Sequence, residues 1–204
     1  DNSIMSITIN GNGTVTGISV GGLPDGIVDT DMIANNAVTT AKSTITGGKI
    51  LQVVQNTTTT RTATSSNSFI ATADLVTITP TAASSKILVN FTGQANTNGT
   101  NRGVYVTIYR SINSGTFTNI APQGSNQTFG ASTNHGFTGN IRGSDSRIQV
   151  PLHINYLDSP SYSVGNSIVY KLYVRSLNSD EIEIPASDNA EPIICMATEV
   201  AAWV

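Results

Sequence analysis

Alternation of apolar and polar residues constrains the fold of this chain more than any other feature. In residues 148–156 every second residue is Ile, Val, Leu or Tyr, and the same period of two recurs in residues 104–109 and 168–175. A period of two is typical of β-strands that bury one face, because successive side chains point to opposite sides. With shorter segments bounded by turn-forming residues, the pattern predicts about nine strands between Lys49 and the C-terminus.

Helical periodicity does not occur between these predicted strands. Neighbouring strands of a parallel sheet need a crossover connection, which is usually a helix. We therefore predict an all-β fold, an antiparallel jelly-roll-like β-sandwich that occupies residues 49–204. Residues 111–146 are rich in Gly, Ser and Asn and contain one weak strand. This composition predicts a long excursion at one end of the sandwich.

Residues 1–48 have a different pattern, and we interpret them as a separate N-terminal arm. Two short alternating runs flank residues 11–13, which predicts a β-hairpin that is too small to be stable alone. Polar residues at 29–30 and 39–40 are suited to cap two brief helical turns, which are also marginal by themselves. The apolar residues of the arm therefore need a surface from outside the segment, and they are Ile27, Val28, Met32, Ile33, Ala37, Val38 and Ile45.

The segment that joins the arm to the predicted sandwich, GIVDTDMIANNAVTTAKSTITGGKILQVVQ, resembles the shaft-to-head junction of phage tail-fibre and other virion fibre proteins. The stretches VTITPTAASSKILV, GVYVTIYRS, INYLDSPS, VYKLYVRS and ICMATEVAA resemble a C-terminal β-domain that is frequent in marine phage structural proteins. Together the matching stretches span roughly residues 27–202. Only one copy of the junction unit is present, and Asn35-Asn36 replaces the usual Asp-Gly or Asn-Gly pair, so a long repetitive shaft is not supported.

The resemblance implies a homotrimer located in the virion and attached to other virion structural proteins. In that arrangement three arms form a short stalk, and three sandwiches surround a threefold axis. The apolar arm independently favours assembly, because apolar surface removed from water stabilises by ~25 cal/mol per Å². The resemblance supplies no catalytic residues. The arm residues expected at the trimer interface are Ile27, Met32, Ile33 and Val38.

Four residues of the predicted sandwich lie opposite the core face of their strands, and we interpret them as further contacts between subunits. Tyr is favoured at interfaces, since its ring is apolar and its hydroxyl is polar. The alternative is that these residues are scattered surface side chains without a special role. They are Tyr105, Tyr109, His153 and Tyr173.

Composition argues against several classes of function. Charged residues make up 11% of the 204 residues and the net charge is −3, so no basic field attracts nucleic acid. No run of ~18 apolar residues predicts a membrane-spanning helix, and membrane insertion is not expected. The single cysteine, Cys195, precludes an internal disulfide and a multi-cysteine zinc site. Its apolar setting predicts a small buried side chain in a strand.

Catalytic and cofactor-binding motifs are lacking, so we predict a protein that is not an enzyme and needs no cofactor or metal. The sequence contains two histidines, His135 and His153, and neither has metal-ligand spacing. It has no nucleophile elbow and no phosphate-binding loop.

Two groups of carboxylates leave alternatives open. Asp25, Asp29 and Asp31 are able in principle to surround a calcium ion, although helix capping explains the last two more simply. Residues 180–183 place two carboxylates in a turn and Glu183 on the outer face of a strand, where a glycosidase pair is the residual enzymatic alternative.

The predicted function is that of a non-enzymatic virion structural protein, the tip of a trimeric fibre or spike that binds a receptor on the host surface. A glycan is the expected receptor class, because aromatic rings among Asn, Gln and Ser side chains suit stacking and hydrogen bonding to sugars. The alternatives are a head fibre, capsid decoration or connector protein with a purely structural role, and a depolymerase. The candidate receptor contacts are Phe117, Phe129, Asn134, His135 and Phe137.

Overall fold

The chain divides into two compact units, Asp1–Thr44 and Ile45–Val204, whereas the sequence pattern places the boundary after residue 48. A computed structural model describes residues 8–9, 15–16, 48–98, 103–121, 137, 147–177, 179–186 and 191–202. In the first unit, β1 (Thr8–Ile9) pairs with β2 (Val15–Thr16) in an antiparallel hairpin, with Ile9 opposite Val15. The predicted hairpin is thus confirmed. The predicted helical turns of the arm lie outside the described residues.

The second unit is built from antiparallel strands, and no helix occurs among the described residues, which confirms the all-β prediction. The predicted strands are all present, and one short strand, β4, was not predicted because its sequence Thr-Ala-Thr has no apolar alternation. In chain order the strands are β3 (Ile50–Thr58), β4 (Thr62–Thr64), β5 (Ile70–Ile78), β6 (Lys86–Asn98), β7 (Val104–Ile112), β8 (Thr118–Asn119), β9 (Arg147–Asp158), β10 (Ile168–Ser176), β11 (Ile182–Ile184) and β12 (Ile193–Val200).

Two sheets account for all the strands that the structure describes in this unit. The four-stranded sheet has the order β5-β10-β7-β8, and β7 and β10 pair without interruption from Val104 opposite Ser176 to Ile112 opposite Ile168. The six-stranded sheet is organised around the long strand β6. One edge of β6 pairs first with β12 and then with β11, and the other edge pairs with β9 from Ile87 to Asn98. β3 and β4 flank β12 and β11, respectively.

A single hydrophobic core lies between the sheets and takes residues from both. The predicted alternation is confirmed in β9 and β10. The buried residues of β9 include Val150, Leu152 and Ile154, and in β10 every second residue from Ile168 to Val174 is buried. Cys195 is likewise fully buried, as its apolar setting predicts. Tyr170 is the largest fully buried side chain among the residues that the structure describes.

The hydroxyl group of Tyr170 belongs to a buried polar bridge between the sheets. It donates a hydrogen bond of 2.8 Å to Asp158 Oδ2 at the end of β9. Nη1 of Arg110, on β7, contacts both oxygens of the same carboxylate at 2.8 and 2.6 Å. Burial, reinforced by the Asp158 charge, raises the pKa of Tyr170 far above its usual value, so the phenol remains a donor.

Side-chain amides of β3 join the two sheets at another edge. Gln52 donates to the carbonyl of Thr79 at 2.7 Å, and Asn56 donates to the carbonyl of Leu75 at 2.9 Å. Both acceptors belong to β5 or the residue that follows it, at the edge of the four-stranded sheet. These bonds satisfy backbone groups that an edge strand otherwise presents to solvent.

The predicted excursion begins along the outer edge of β7. After β8, the amide of Ile120 donates to the carbonyl of Ile108 at 3.0 Å. The amide of Phe137 donates to the carbonyl of Val106 at 2.9 Å, so the chain is again beside β7 at that residue. Both contacts extend the edge of the four-stranded sheet.

Candidate functional site

Aromatic side chains converge on the outer face of the four-stranded sheet. The register of β7 and β10 sets Tyr105 opposite Arg175 and Tyr109 opposite Lys171. Because alternate residues share a face, Tyr105, Tyr109, Tyr173 and Arg175 all lie on the side of the sheet that faces away from the core. We call this group the aromatic face, and its members are Phe69, Tyr105, Tyr109, Phe117, Tyr173 and Arg175.

A stacked pair of tyrosines forms the centre of the aromatic face. The ring centroids of Tyr109 and Tyr173 are 3.9 Å apart and their planes differ by 21°. Phe117 lies 6.1 Å from Tyr173 at 46°, and Phe69 lies 6.5 Å from Tyr109 at 60°. All four rings are half-buried. Each therefore packs against the sheet and still presents part of its surface to solvent.

Arg175 fixes the rings at one end of this face. Its guanidinium carbon lies 4.1 Å from the ring centroid of Tyr105 and 5.4 Å from that of Phe69. Both Arg175 and Tyr105 are buried, with exposed fractions of 6% and 5%. Burial lowers the pKa of Arg175 from its usual value, which Tyr105 partly offsets. Cation–π contacts of this kind are stronger when they are shielded from water.

The hydroxyl groups of the stacked tyrosines stay protonated around neutral pH. Burial raises the pKa of Tyr109, helped by its neighbour Tyr173, and burial also raises the pKa of Tyr173. Each phenol therefore both donates and accepts hydrogen bonds. Beside them, the Thr107 hydroxyl donates to Asn119 Oδ1 at 2.8 Å. The arrangement suits stacking of a flat partly apolar group with hydrogen bonds at its rim.

The structure brings together three residues for which the sequence suggested different roles. Tyr109 and Tyr173 were predicted as subunit contacts and Phe117 as a receptor contact, yet all three share one cluster of rings. The expectation that Tyr105 is exposed is wrong. It lies on the outer face as predicted, but Arg175 covers it, and it offers little surface to another molecule.

His153 lies on a different surface from these tyrosines. It projects from β9, on the outer face of the six-stranded sheet, and is exposed. Asn155 donates to its Nε2 at 2.7 Å, so Nδ1 carries the proton and donates to Thr92 Oγ1 at 3.1 Å. The predicted interface residues of the sandwich thus divide between the two outer faces.

Phe137 is the other member of the receptor set that the structure describes. Its ring centroid lies 4.9 Å from that of Tyr156, and the side chain packs against the hydrophobic core. It is half-buried, which leaves part of the ring accessible. The remaining predicted contacts lie outside the described residues, namely Phe129, Asn134 and His135 of the excursion and Ile27, Met32, Ile33 and Val38 of the arm.

Glu183 lies in β11, and its carboxylate is paired with the basic side chain of Arg61. The carboxylate also accepts a hydrogen bond of 3.3 Å from Asn96 Nδ2. Glu183 lies on the outer face of its strand as predicted, but it is buried there. Glu181 is 3.9 Å from the same guanidinium. Asp25, Asp29 and Asp31 lie outside the described residues.

Metal ligands do not converge in the part of the chain that the structure describes, since no three His, Cys, Asp or Glu side chains there are grouped as a metal ion requires. Among the same residues no helix has the length and apolar character needed to cross a membrane.

Two members of the aromatic face were not singled out from the sequence. Arg175 is two residues after Tyr173 in β10, so the alternation of this strand was sufficient to place it on the same face. Phe69 precedes β5 in a Ser- and Asn-rich segment without alternation, so no sequence pattern indicates its place beside Tyr109.

No model of a protein family matches the chain, and no curated protein matches it significantly.

Proposed function

We propose that this chain is a non-enzymatic structural protein of a virion, the tip of a trimeric fibre or spike, and that its aromatic face binds a glycan on the host surface. In this proposal the arm forms a short trimeric stalk with brief helical turns, and the two sheets form a jelly-roll-like head. The support comes from the resemblance of the junction segment to virion fibres and from the ring geometry of the head.

The observation that carries the proposal is the contact of Phe117 with Tyr173, which is stacked on Tyr109. Phe117 directly precedes β8 and lies in the first part of the long excursion. Rings fixed by a sheet lose little conformational freedom when a ligand stacks on them, which favours binding. Half-buried tyrosines combine that apolar surface with hydroxyl groups that match those of a sugar.

One patch of rings cannot be covered by a neighbouring subunit and bind a receptor at the same time. We assign the aromatic face to the receptor, because the opposite sheet offers a better assembly surface. Its outer face exposes Val53, Leu157 and Ile194 by 55%, 46% and 39%. Exposed apolar side chains that share one face are typical of surfaces that contact another subunit.

The glycan proposal is tested with the variants Tyr173→Ala and Gln149→Ala in the full chain. We expect Tyr173→Ala to weaken retention on purified host envelopes by about tenfold or more, the loss of about 1.4 kcal/mol of binding. Gln149→Ala is the matched control, since Gln149 is exposed on the other sheet and its replacement leaves retention unchanged. Retention is measured by pull-down, with light scattering to verify the oligomer.

Two results would count against this assignment. If the unaltered trimer is not retained by host envelopes, receptor binding itself is excluded for that host. If the unaltered protein and Tyr173→Ala are retained equally, the receptor binds elsewhere on the head.

A purely structural role, as a head fibre, capsid decoration or connector, is the second candidate. The exposed apolar residues of the six-stranded sheet favour it, because they suit contact with another virion protein as well as with a second copy. The location of the protein in a reconstruction of the virion separates the candidates. A position on a capsid facet or vertex favours the structural role, and the end of a tail appendage favours attachment.

A further inference from the structure

A cavity of about 350 Å³ lies between two connections of the sandwich unit. One connection is the turn between β5 and β6, and the other is the loop between β9 and β10. Its volume is near the lower end of the range that is typical of small-molecule sites. The lining residues are Ser84, Ser85, Lys86, Ser159, Pro160, Ser161 and Tyr162.

The walls of this cavity are held in place by contacts on both sides. The hydroxyl of Tyr162 donates to the carbonyl of Ala82 at 2.7 Å, and the ring packs against the hydrophobic core. Further along the same loop, Ser163 and Asn166 are joined by two hydrogen bonds of 3.0 and 2.9 Å. Pro160 is buried. A ligand therefore meets a wall that is already ordered, which lowers the entropic cost of binding.

Glu199 holds the turn between β5 and β6. Its carboxylate is fully buried and accepts hydrogen bonds from the amides of Thr81 and Ala82 and from Gln52 Nε2. Burial raises its pKa, but these bonds together with Ser85 outweigh burial, and the net pKa is lowered. Glu199 is thus ionised at neutral pH and anchors the turn from the core side. Hydroxyl groups predominate in the lining, which contains four serines and Tyr162 beside one charged residue, Lys86, and this favours a neutral ligand rich in hydroxyl groups.

We propose that this cavity binds a single neutral sugar unit. Serine hydroxyls both donate and accept hydrogen bonds, as sugar hydroxyls do. The half-buried ring of Tyr162 supplies apolar surface against which the C–H groups of a sugar ring pack. None of the residues that line the cavity belongs to the aromatic face. The inference therefore does not depend on the proposed receptor function.

The test uses saturation-transfer NMR on the full chain with four probes, the methyl glycosides of glucose, galactose, mannose and N-acetylglucosamine. A ligand of this size binds with a dissociation constant on the order of 1 mM at ordinary ligand efficiency. We expect transfer to at least one probe, and Ser161→Trp to weaken that binding by about tenfold or more, because the indole fills the cavity. Ser163→Trp is the matched control, as it adds the same ring at an exposed position outside the lining.

A second variant removes one hydroxyl without adding bulk. Ser84 has a φ of 59°, a conformation that suits glycine, so Ser84→Gly keeps the fold and weakens binding severalfold. Tyr173→Ala leaves binding at the cavity unchanged, which separates this site from the aromatic face. The proposal is overturned if no probe receives saturation at about 20 mM, well above the expected constant. It is also overturned if Ser161→Trp binds as well as the unaltered chain, or if inorganic sulfate displaces the sugar.

Discussion

Asp74 is a carboxylate buried in the hydrophobic core. It projects inward from β5 and has no exposed surface, and neither of its oxygens has a hydrogen-bond partner among the described residues. Burial raises its pKa from 3.8 to about 6, although Thr72, the backbone of Asp74 and Lys171 oppose the shift. Cys195 lies nearby, and burial together with the Asp74 charge raises the pKa of its thiol to about 12. The thiol therefore stays protonated.

The raised pKa of Asp74 makes stability depend on pH. The folded state holds the proton more tightly than the unfolded chain, so this group's contribution to stability falls as pH rises from about 3.8 to about 6. Asp74→Asn removes the ionisation. We expect the stability advantage of the variant over the unaltered protein to be roughly 2 kcal/mol larger at pH 7.5 than at pH 4, because a small part of the shift of about two pKa units is already present at pH 4. Urea unfolding at both pH values measures this difference.

The difference in unfolding free energy between Asp74→Asn and the unaltered protein is free of contributions from other acids, because both proteins contain them. Glu199 is such an acid, since its lowered pKa stabilises the fold above its unfolded value of 4.5 and that stabilisation is lost as pH falls. An equal effect of Asp74→Asn at pH 4 and pH 7.5 would show that the Asp74 carboxylate is paired or hydrated in the folded state.

At the scale of whole elements, β6 determines how the larger sheet is arranged. Its first half pairs with β12 as far as Thr92 opposite Ile194, and its last residues pair with β11 at Asn96 and Thr97. The change of partner occurs at Gly93. A Cβ atom there would lie 2.3 Å from Ile193 Cδ1 and 3.1 Å from the carbonyl oxygen of Pro192. Glycine permits the backbone of the incoming chain to approach β6 this closely.

Gly93→Ala is therefore expected to destabilise the sandwich unit by about 1–3 kcal/mol, as overpacking typically does. Ile193→Val removes the Cδ1 atom that is closest to the added methyl group. The double variant Gly93→Ala/Ile193→Val is expected to be more stable than the sum of the two single effects implies. Denaturant unfolding of the four proteins measures the coupling. Strict additivity would mean that the added methyl group is accommodated by another route.

At the scale of the molecule, the central prediction is threefold assembly through the arm. The full chain has a mass of 21.3 kDa, so multi-angle light scattering is expected to give three times this value. Ile33→Asp places a charge among the arm residues predicted at the trimer axis, and we expect it to release monomers that keep the strand content of the head. Asn35→Asp adds the same charge at a polar position and is the matched control. A monomer for the unaltered chain contradicts the fibre proposal.

The period-two pattern, with the turn-forming residues between segments, was sufficient to predict every strand after residue 48 except β4, the buried faces of β9 and β10, and the all-β class. Which residues face inward along β9 and β10 is a local property, because alternation follows from backbone geometry alone. The same rule correctly assigned residues of β7 to the outer face, but it did not predict that one of them, Tyr105, is buried there. Whether Tyr105 is covered depends on Arg175 in another strand, which the alternation of β7 does not contain.

Alternation along the sequence thus predicts on which side of β7, β9 and β10 a residue lies, and the sequence also predicts the hairpin of the arm. The strand order follows from tertiary packing, and with it come the stacking of Tyr109 on Tyr173, the approach of Phe117 and Phe69, and the burial of Asp74 and Glu183. Pairing between strands distant in sequence is set by packing that many residues share, so no short stretch of the sequence specifies it.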